Sequence, residues 1–167
     1  MMKKRYFLLG LGLALGTLAS SVQAKDDKPC GANMVCASDP NTIVAALQKA
    51  GYKAKLGKDG VGDPEIDSAA SGYSFSIYFY DCVEHKQCAA IQFYVSFEAD
   101  PQNTEAFANK WNTDKRFLRA RVNDKKELVF DHDVSTIGGL NQTNFADLLE
   151  WMASALNDVR AYLNPKK

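Results

Sequence analysis

The chain has 167 residues with 20 basic and 20 acidic side chains, two His and four Cys, and is 46% hydrophobic and 11% aromatic. That balance excludes a disordered tail, a low-complexity or collagen-like chain and a strongly basic nucleic-acid binder, each of which needs a bias that is absent. The length suits one domain and leaves no room for two sizeable cores.

Lys3, Lys4 and Arg5 precede an apolar run from Tyr6 to about Ala19, and the small and polar residues Ser20, Ser21, Val22, Gln23 and Ala24 follow, with a Val-x-Ala pattern at their end. A positive start, an apolar stretch short of the ~20 residues that span a bilayer, and a small-residue cleavage signature predict a signal peptide over residues 1–24, cut after Ala24. No Cys follows the cut and no membrane anchor is expected after it. Residues 1–24 hold three of the basic and none of the acidic side chains, so the processed chain has 143 residues and a net charge of −3. The predicted location is periplasmic or secreted.

In an oxidising compartment four cysteines read first as two disulfides. Cys30 and Cys36 share the spacing of Cys82 and Cys88. Of the three possible connectivities, two local bridges are the simplest. Structural zinc favours tighter knuckles, and a redox-active pair favours C-x-x-C.

Residues 25–38 read as a polar N-terminal arm, loose except where the first bridge ties it, and 39–167 read as a single domain. Asp39-Pro40 starts a helix, Ile43, Val44, Leu47 and Ala50 recur at helical spacing, and Gly51 stops it. Tyr52, Ala54 and Leu56 alternate before a turn at Gly57–Gly60, and residues 63–70 form a second short strand. Tyr73–Tyr80 (YSFSIYFY) and Ala89–Phe97 (AAIQFYVSF) form the clearest hairpin. With Cys82 opposite Cys88, Phe79 faces Ile91, Ile77 faces Phe93, Phe75 faces Val95 and Tyr73 faces Phe97. The other face pairs Tyr80 with Ala90, Tyr78 with Gln92, Ser76 with Tyr94 and Ser74 with Ser96. A slip of one residue would mix an apolar face with a polar one, so disulfide and pattern specify the same register.

Asp100-Pro101 again reads as a helix start, for a short helix through Ala106, Phe107, Lys110 and Trp111 to about Asn112. A second hairpin joins Arg116–Val122 to Glu127–Val134. It sets Val122 against Leu128, Ala120 against Phe130, Leu118 against His132, Arg121 against Val129, Arg119 against Asp131 and Phe117 against Asp133, with an ion pair between Arg119 and Asp131. Gly138-Gly139 breaks the chain. From about Asn144 a long helix carries Phe145, Leu148, Leu149, Met152, Leu156, Val159 and Leu163 on one stripe. The sum is an α+β domain, an antiparallel sheet of two hairpins plus short strands with helices packed on it.

GYSFSIYFYDC, IQFYVSFEAD, FANKWNTDKRFLRARV, DHDVSTIGG and FADLLEWMASAL together resemble the YbjN domain family of bacterial proteins, over about Thr42 to Leu163. The most specific parts are the aromatic strand ending in Cys82, the passage carrying Trp111, Asn112, Arg116 and Phe117, and the Gly-Gly pair. The resemblance implies a fold similar to class I type III secretion chaperones, small acidic dimers that hold unfolded secreted partners, and so a homodimer. The family is described as a sensory transduction regulator, and it supplies no catalytic residues. This chain departs from the cytoplasmic members by its signal peptide and its second cysteine pair.

No nucleophile elbow, Walker loop, HExxH or dinucleotide fingerprint is present, and no cofactor is expected. His132 lies between Asp131 and Asp133, but strand alternation sends the two carboxylates to one face and the imidazole to the other, which disfavours a metal site. His85 reads as a residue of an exposed turn. Arg116, Arg119 and Arg121 read as a solvated strand face with ion pairs, and no nucleic-acid partner is expected. Tyr78, Tyr80 and Tyr94 fall on the hairpin face away from the core, where amphipathic rings suit a protein contact. The leading functional expectation is therefore an exported, non-enzymatic, protein-binding or chaperone-like module that uses this face or the adjacent sheet edge. The alternatives are a small-ligand binder with a cleft between the long hairpin and the last helix, and a hydrolase using His132 or His85.

Overall fold

The computed structural model describes residues 30–163, so the predicted signal peptide lies outside the described residues. Helix α1 (Pro40–Lys49) begins as its sequence predicts: the Asp39 side chain accepts from the Asn41 N–H and Pro40 occupies the first turn. Such a cap contributes about 1 kcal/mol. The helix ends at Ala50, and Gly51 takes a left-handed φ of 86°.

Of the arm before α1, the described residues 34–37 are ordered against the core, which corrects the expectation of a loose segment there. Strand β1 (Met34–Val35) pairs antiparallel with β8 (Leu140–Asn141) in a separate two-stranded sheet. Val35 and Ala37 are completely buried, and the Ala37 N–H donates to Thr136 Oγ1 at 2.8 Å. Gly139 makes this docking sterically feasible. Its φ is 83°, and a Cβ there would stand 2.8 Å from the Met34 Cβ.

The main sheet contains β2 (Lys55–Lys58), β3 (Pro64–Ala70), β4 (Tyr73–Tyr80), β5 (Ala90–Phe97), β6 (Arg119–Val122) and β7 (Leu128–Ser135), in the order β2-β3-β4-β5-β7-β6. Every pairing is antiparallel. The β4–β5 ladder has the predicted register from Tyr80 opposite Ala90 to Ser76 opposite Tyr94. It stops there, so the predicted pairs of Phe75 with Val95, Ser74 with Ser96 and Tyr73 with Phe97 are not ladder pairs. The Tyr73 and Phe97 rings still meet edge-on at 5.1 Å, and a shallow cleft of about 440 Å³ lined by Ser74, Ser76 and Ser96 opens beside the break. The first short strand also differs from expectation: it begins at Lys55, and Leu56 is 42% exposed.

Alternation gives the sheet two unlike faces. The inner face carries Ile66, Phe75, Ile77, Phe79, Ile91, Phe93, Val95 and Phe130, all buried. Against it pack Ile43 and Leu47 of α1 and Phe145, Leu149, Met152, Leu156 and Val159 of α3 (Gln142–Leu163), in one continuous cluster. Each fully buried side chain of this size contributes roughly 1.5–3 kcal/mol.

Helix α2 (Glu105–Asp114) starts five residues after Asp100. Asp100 instead accepts from the Gln102 N–H to close a turn, and Thr104 caps the helix by accepting from the Phe107 N–H. A short acidic side chain before Pro serves a turn as readily as a helix cap, and here the turn is formed. The second hairpin keeps its predicted register from Val122–Leu128 to Arg119–Asp131. The predicted pairs of Leu118 with His132 and Phe117 with Asp133 do not form. Phe117 takes a φ of 70°, and the Leu118 N–H donates to the Arg116 carbonyl, a γ-turn that lifts the chain off the ladder.

Candidate functional site

Among the described residues no helix covers the outer face of the sheet, and the four longest strands project alternate side chains from it. In β4 the outward residues are Ser74, Ser76, Tyr78 and Tyr80, and in β5 they include Gln92 and Tyr94. Tyr78 and Tyr94 contact each other edge-on with ring centroids 5.4 Å apart. Tyr80 is 46% exposed, while Tyr78 and Tyr94 are half-buried.

A polar network runs from these rings across the sheet. The Tyr80 hydroxyl donates to Gln92 Oε1 at 3.2 Å, and Gln92 Nε2 donates to Asp133 Oδ1 at 2.6 Å. Asp133 lies 3.6 Å from the Arg119 guanidinium, which binds Asp131 through Nε at 2.8 Å and Nη2 at 2.6 Å. Arg121 Nε holds the other Asp131 oxygen at 2.9 Å. Asp131 is only 1% exposed although it lies on an uncovered face, because the two arginines close over it. Both of its oxygens are satisfied by charge-assisted bonds, which makes this burial tolerable.

Burial is the main cause that raises the ionisation of Tyr80 above the ordinary tyrosine range, followed by the nearby carboxylates of Asp133 and Asp131. Tyr78 is raised in the same way, by burial first and also by the charge of Glu65, against an opposing hydrogen bond with Ser76. Both phenols are therefore protonated near neutral pH. Chemically the face offers hydroxyl and guanidinium donors, carboxylate acceptors and aromatic area.

The two histidines lie apart and in different contacts. His132 turns to the inner side, where the Phe117 ring lies edge-on at 6.1 Å, while Asp131 and Asp133 bond on the outer face. His85 sits in the β4–β5 loop with Nδ1 at 2.7 Å from Asp63 Oδ1, and so ties that loop to the β2–β3 turn. Among the described residues neither histidine hydrogen-bonds a Ser, Thr or Cys nucleophile, and no group of three or more His, Cys, Asp or Glu side chains is arranged to hold a metal ion. Arg119 and Arg121 are committed to Asp131.

Between the long hairpin and α3 lie the buried side chains of Phe75, Phe93, Leu149 and Leu156. A wider cleft of about 820 Å³ lies between the start of α2 and the β6–β7 turn. Its Asp100, Asn103, Thr104 and Asn123 side chains already bond nearby backbone. Both disulfides, Cys30–Cys36 and Cys82–Cys88, are formed, and no described cysteine is free. Two such bridges fit a non-cytoplasmic, oxidising location.

Sequence reasoning missed a second surface feature. Phe117 stacks on Trp151 of α3 with centroids 4.6 Å apart, and both rings are nearly half exposed. The γ-turn that places Phe117 is clamped on its C-terminal side: Trp111 Nε1 donates to the Leu118 carbonyl at 2.7 Å, and Asn112 bonds both backbone groups of Ala120. The adjacent Trp-Asn pair was the available signal, because indole and amide side chains one turn before a strand can reach its edge. The Gln92–Asp133 link was also missed, since it depends on β5 and β7 being neighbours.

The family model "YbjN: Putative bacterial sensory transduction regulator" matches residues 39–165. No curated protein matches the chain. Among solved structures, "Crystal structure of YbjN, a putative transcription regulator from E. coli" superposes with a TM-score of 0.55 at 15% identity, covering 77% of this chain and 96% of that one. At that identity the likeness establishes the fold alone.

Proposed function

Because the chain belongs to the YbjN family, whose description is regulatory rather than catalytic, we propose that it is a non-enzymatic protein-binding module of the bacterial cell envelope. In this reading the protein is exported and its signal peptide is removed. It then acts in a chaperone-like way, holding a protein partner against the outer sheet face, with Tyr78, Tyr80 and Tyr94 at the centre of the contact. The observation that carries the proposal is the helix-free face itself, where three tyrosines adjoin a satisfied network of Gln92, Asp133, Arg119, Asp131 and Arg121. Rigid aromatic anchors beside ordered polar groups present contact area at low entropic cost. The residues satisfy one another in the free protein, so little reorganisation is needed on binding.

The test compares the processed chain with a Tyr80→Glu variant in capture from envelope extract, with sedimentation of each alone to detect a homodimer. The substitution falls on a half-exposed ring and leaves the core untouched. Loss of the captured protein in the variant supports the proposal. Identical capture by both proteins overturns it, and loss of a dimer by the variant would assign the face to a second copy of the chain.

A further inference from the structure

The two edges of the main sheet are finished in opposite ways. At β6 the Asn112 side chain accepts from the Ala120 N–H at 2.8 Å and donates to the Ala120 carbonyl at 3.0 Å. The outward backbone of that edge is occupied, and a further strand cannot pair with it at Ala120. At β2 no described side chain hydrogen-bonds the backbone of Lys55–Lys58. The ladder alternation identifies which groups are free. Asp59 N–H donates to the Asp63 carbonyl, so Gly57 opposite Glu65 and Lys55 opposite Asp67 are the hydrogen-bonded positions. The N–H and C=O groups of Leu56 and Lys58 therefore point away from β3. Pro64, which has no N–H, stands opposite Lys58, where none is required.

Lys53, Lys55 and Lys58 surround this free edge, all exposed and none in an ion pair among the described residues. Asp67 is the ladder partner of Lys55 but does not come within ion-pair distance of it. Successive side chains alternate, so Lys55 lies on one side of the edge and Lys58 on the other.

We propose that the β2 edge docks an extended, acidic segment of a partner protein as an added strand. Main-chain bonds from Leu56 and Lys58 would supply affinity, and the lysines would select carboxylates. The charge also decides between occupants. A second copy pairing through its own β2 would bring like charges together across the new ladder, which is the usual way an edge is defended against self-association. An acidic strand meets the opposite charge. The inference rests on the chain being a protein-binding module, but it does not use the tyrosine face.

The probe is a short synthetic peptide alternating glutamate and valine, titrated into the processed chain with backbone amide shifts as the readout. Shifts should concentrate at Lys55–Lys58, with slowed hydrogen exchange at the Leu56 and Lys58 amides. Affinity should fall about tenfold or more in Lys55→Glu/Lys58→Glu and should weaken as salt is raised. Both lysines are exposed, so matching circular dichroism is expected for the double variant. Equal affinity in that variant, equal affinity for a lysine–valine peptide, or shifts that avoid β2 would each overturn the proposal. The Tyr80→Glu capture comparison leaves β2 intact, so a failure of the edge and a failure of the tyrosine face can be told apart.

Discussion

Phe93 and Tyr94 are adjacent in β5 and lie in opposite worlds. Phe93 is completely buried on the inner face, in contact with the Phe75 ring, while Tyr94 meets Tyr78 on the outer face in partial contact with water. The inner face is held by non-directional burial, so its side chains are nearly all hydrocarbon. Among the described residues no helix covers the outer face, and its central polar groups, Tyr80, Gln92, Asp133, Arg119, Asp131 and Arg121, are joined by directed bonds. A sheet covered by helices on one side therefore separates a buried apolar face from a polar, partly exposed one by strand alternation alone.

The largest expected effect falls on the inner face. Phe93→Ala should lose about 3–5 kcal/mol, the combined cost of lost transfer energy and a residual cavity, and urea unfolding would measure it. A loss below about 1 kcal/mol would show that the two faces are not energetically distinct.

A smaller loss is expected where the outer face buries a charge. Asp131→Ala removes both arginine partners, but Arg119 and Arg121 are 57% and 43% exposed at their side chains and regain water. The cost should therefore stay near 1–2 kcal/mol, below the 3–5 kcal/mol typical when a buried charge is left unpaired. A double-mutant cycle with Arg121→Ala would isolate the pair, and additive losses would show that the network is not coupled.

Tyr94→Ala should cost about 1 kcal/mol or less, since it gives up an edge-on ring contact and only partial burial. Equal losses for Phe93→Ala and Tyr94→Ala would erase the contrast between the neighbours. The smallest effect is the response to alkali. Tyr78 and Tyr80 are both raised above the ordinary value of 10.0, chiefly by burial. The unfolded chain releases these protons first as pH rises, so their contribution is fully present below about pH 10 and is lost as pH rises through the folded values. Tyrosinate absorbance in the folded chain should develop later than in urea, and coincident curves would refute the shift.

Much of this architecture is legible in local patterns. The apolar alternation of YSFSIYFY and AAIQFYVSF admits one register, and Cys82 and Cys88 pin its end, so Phe79 meets Ile91 and Tyr78 meets Gln92 as expected. The three tyrosines could likewise be assigned to one face, because a period of two leaves no choice. What escaped has two sources. Some features are too short to carry a period, such as Met34–Val35 pairing with Leu140–Asn141 across most of the chain. Others depend on a local competition: Asp100 could cap a helix or close a turn, and Phe117 could continue a strand or enter a γ-turn. In both cases neighbouring groups decided, through Thr104 for the helix and through Trp111 and Asn112 for the turn.

The sequence by itself determined the long strands of the main sheet, their faces, the central registers of two hairpins and the stripe of the last helix, because periodicity and turn closure act over a few residues at a time. Only the tertiary structure decided that β5 lies beside β7, which brings Gln92 to Asp133 and extends the tyrosine face into a network. It also decided that one sheet edge is closed by Asn112 while the other stays open among lysines. Those outcomes depend on which elements become neighbours when the shared core is buried, and no local pattern encodes that choice.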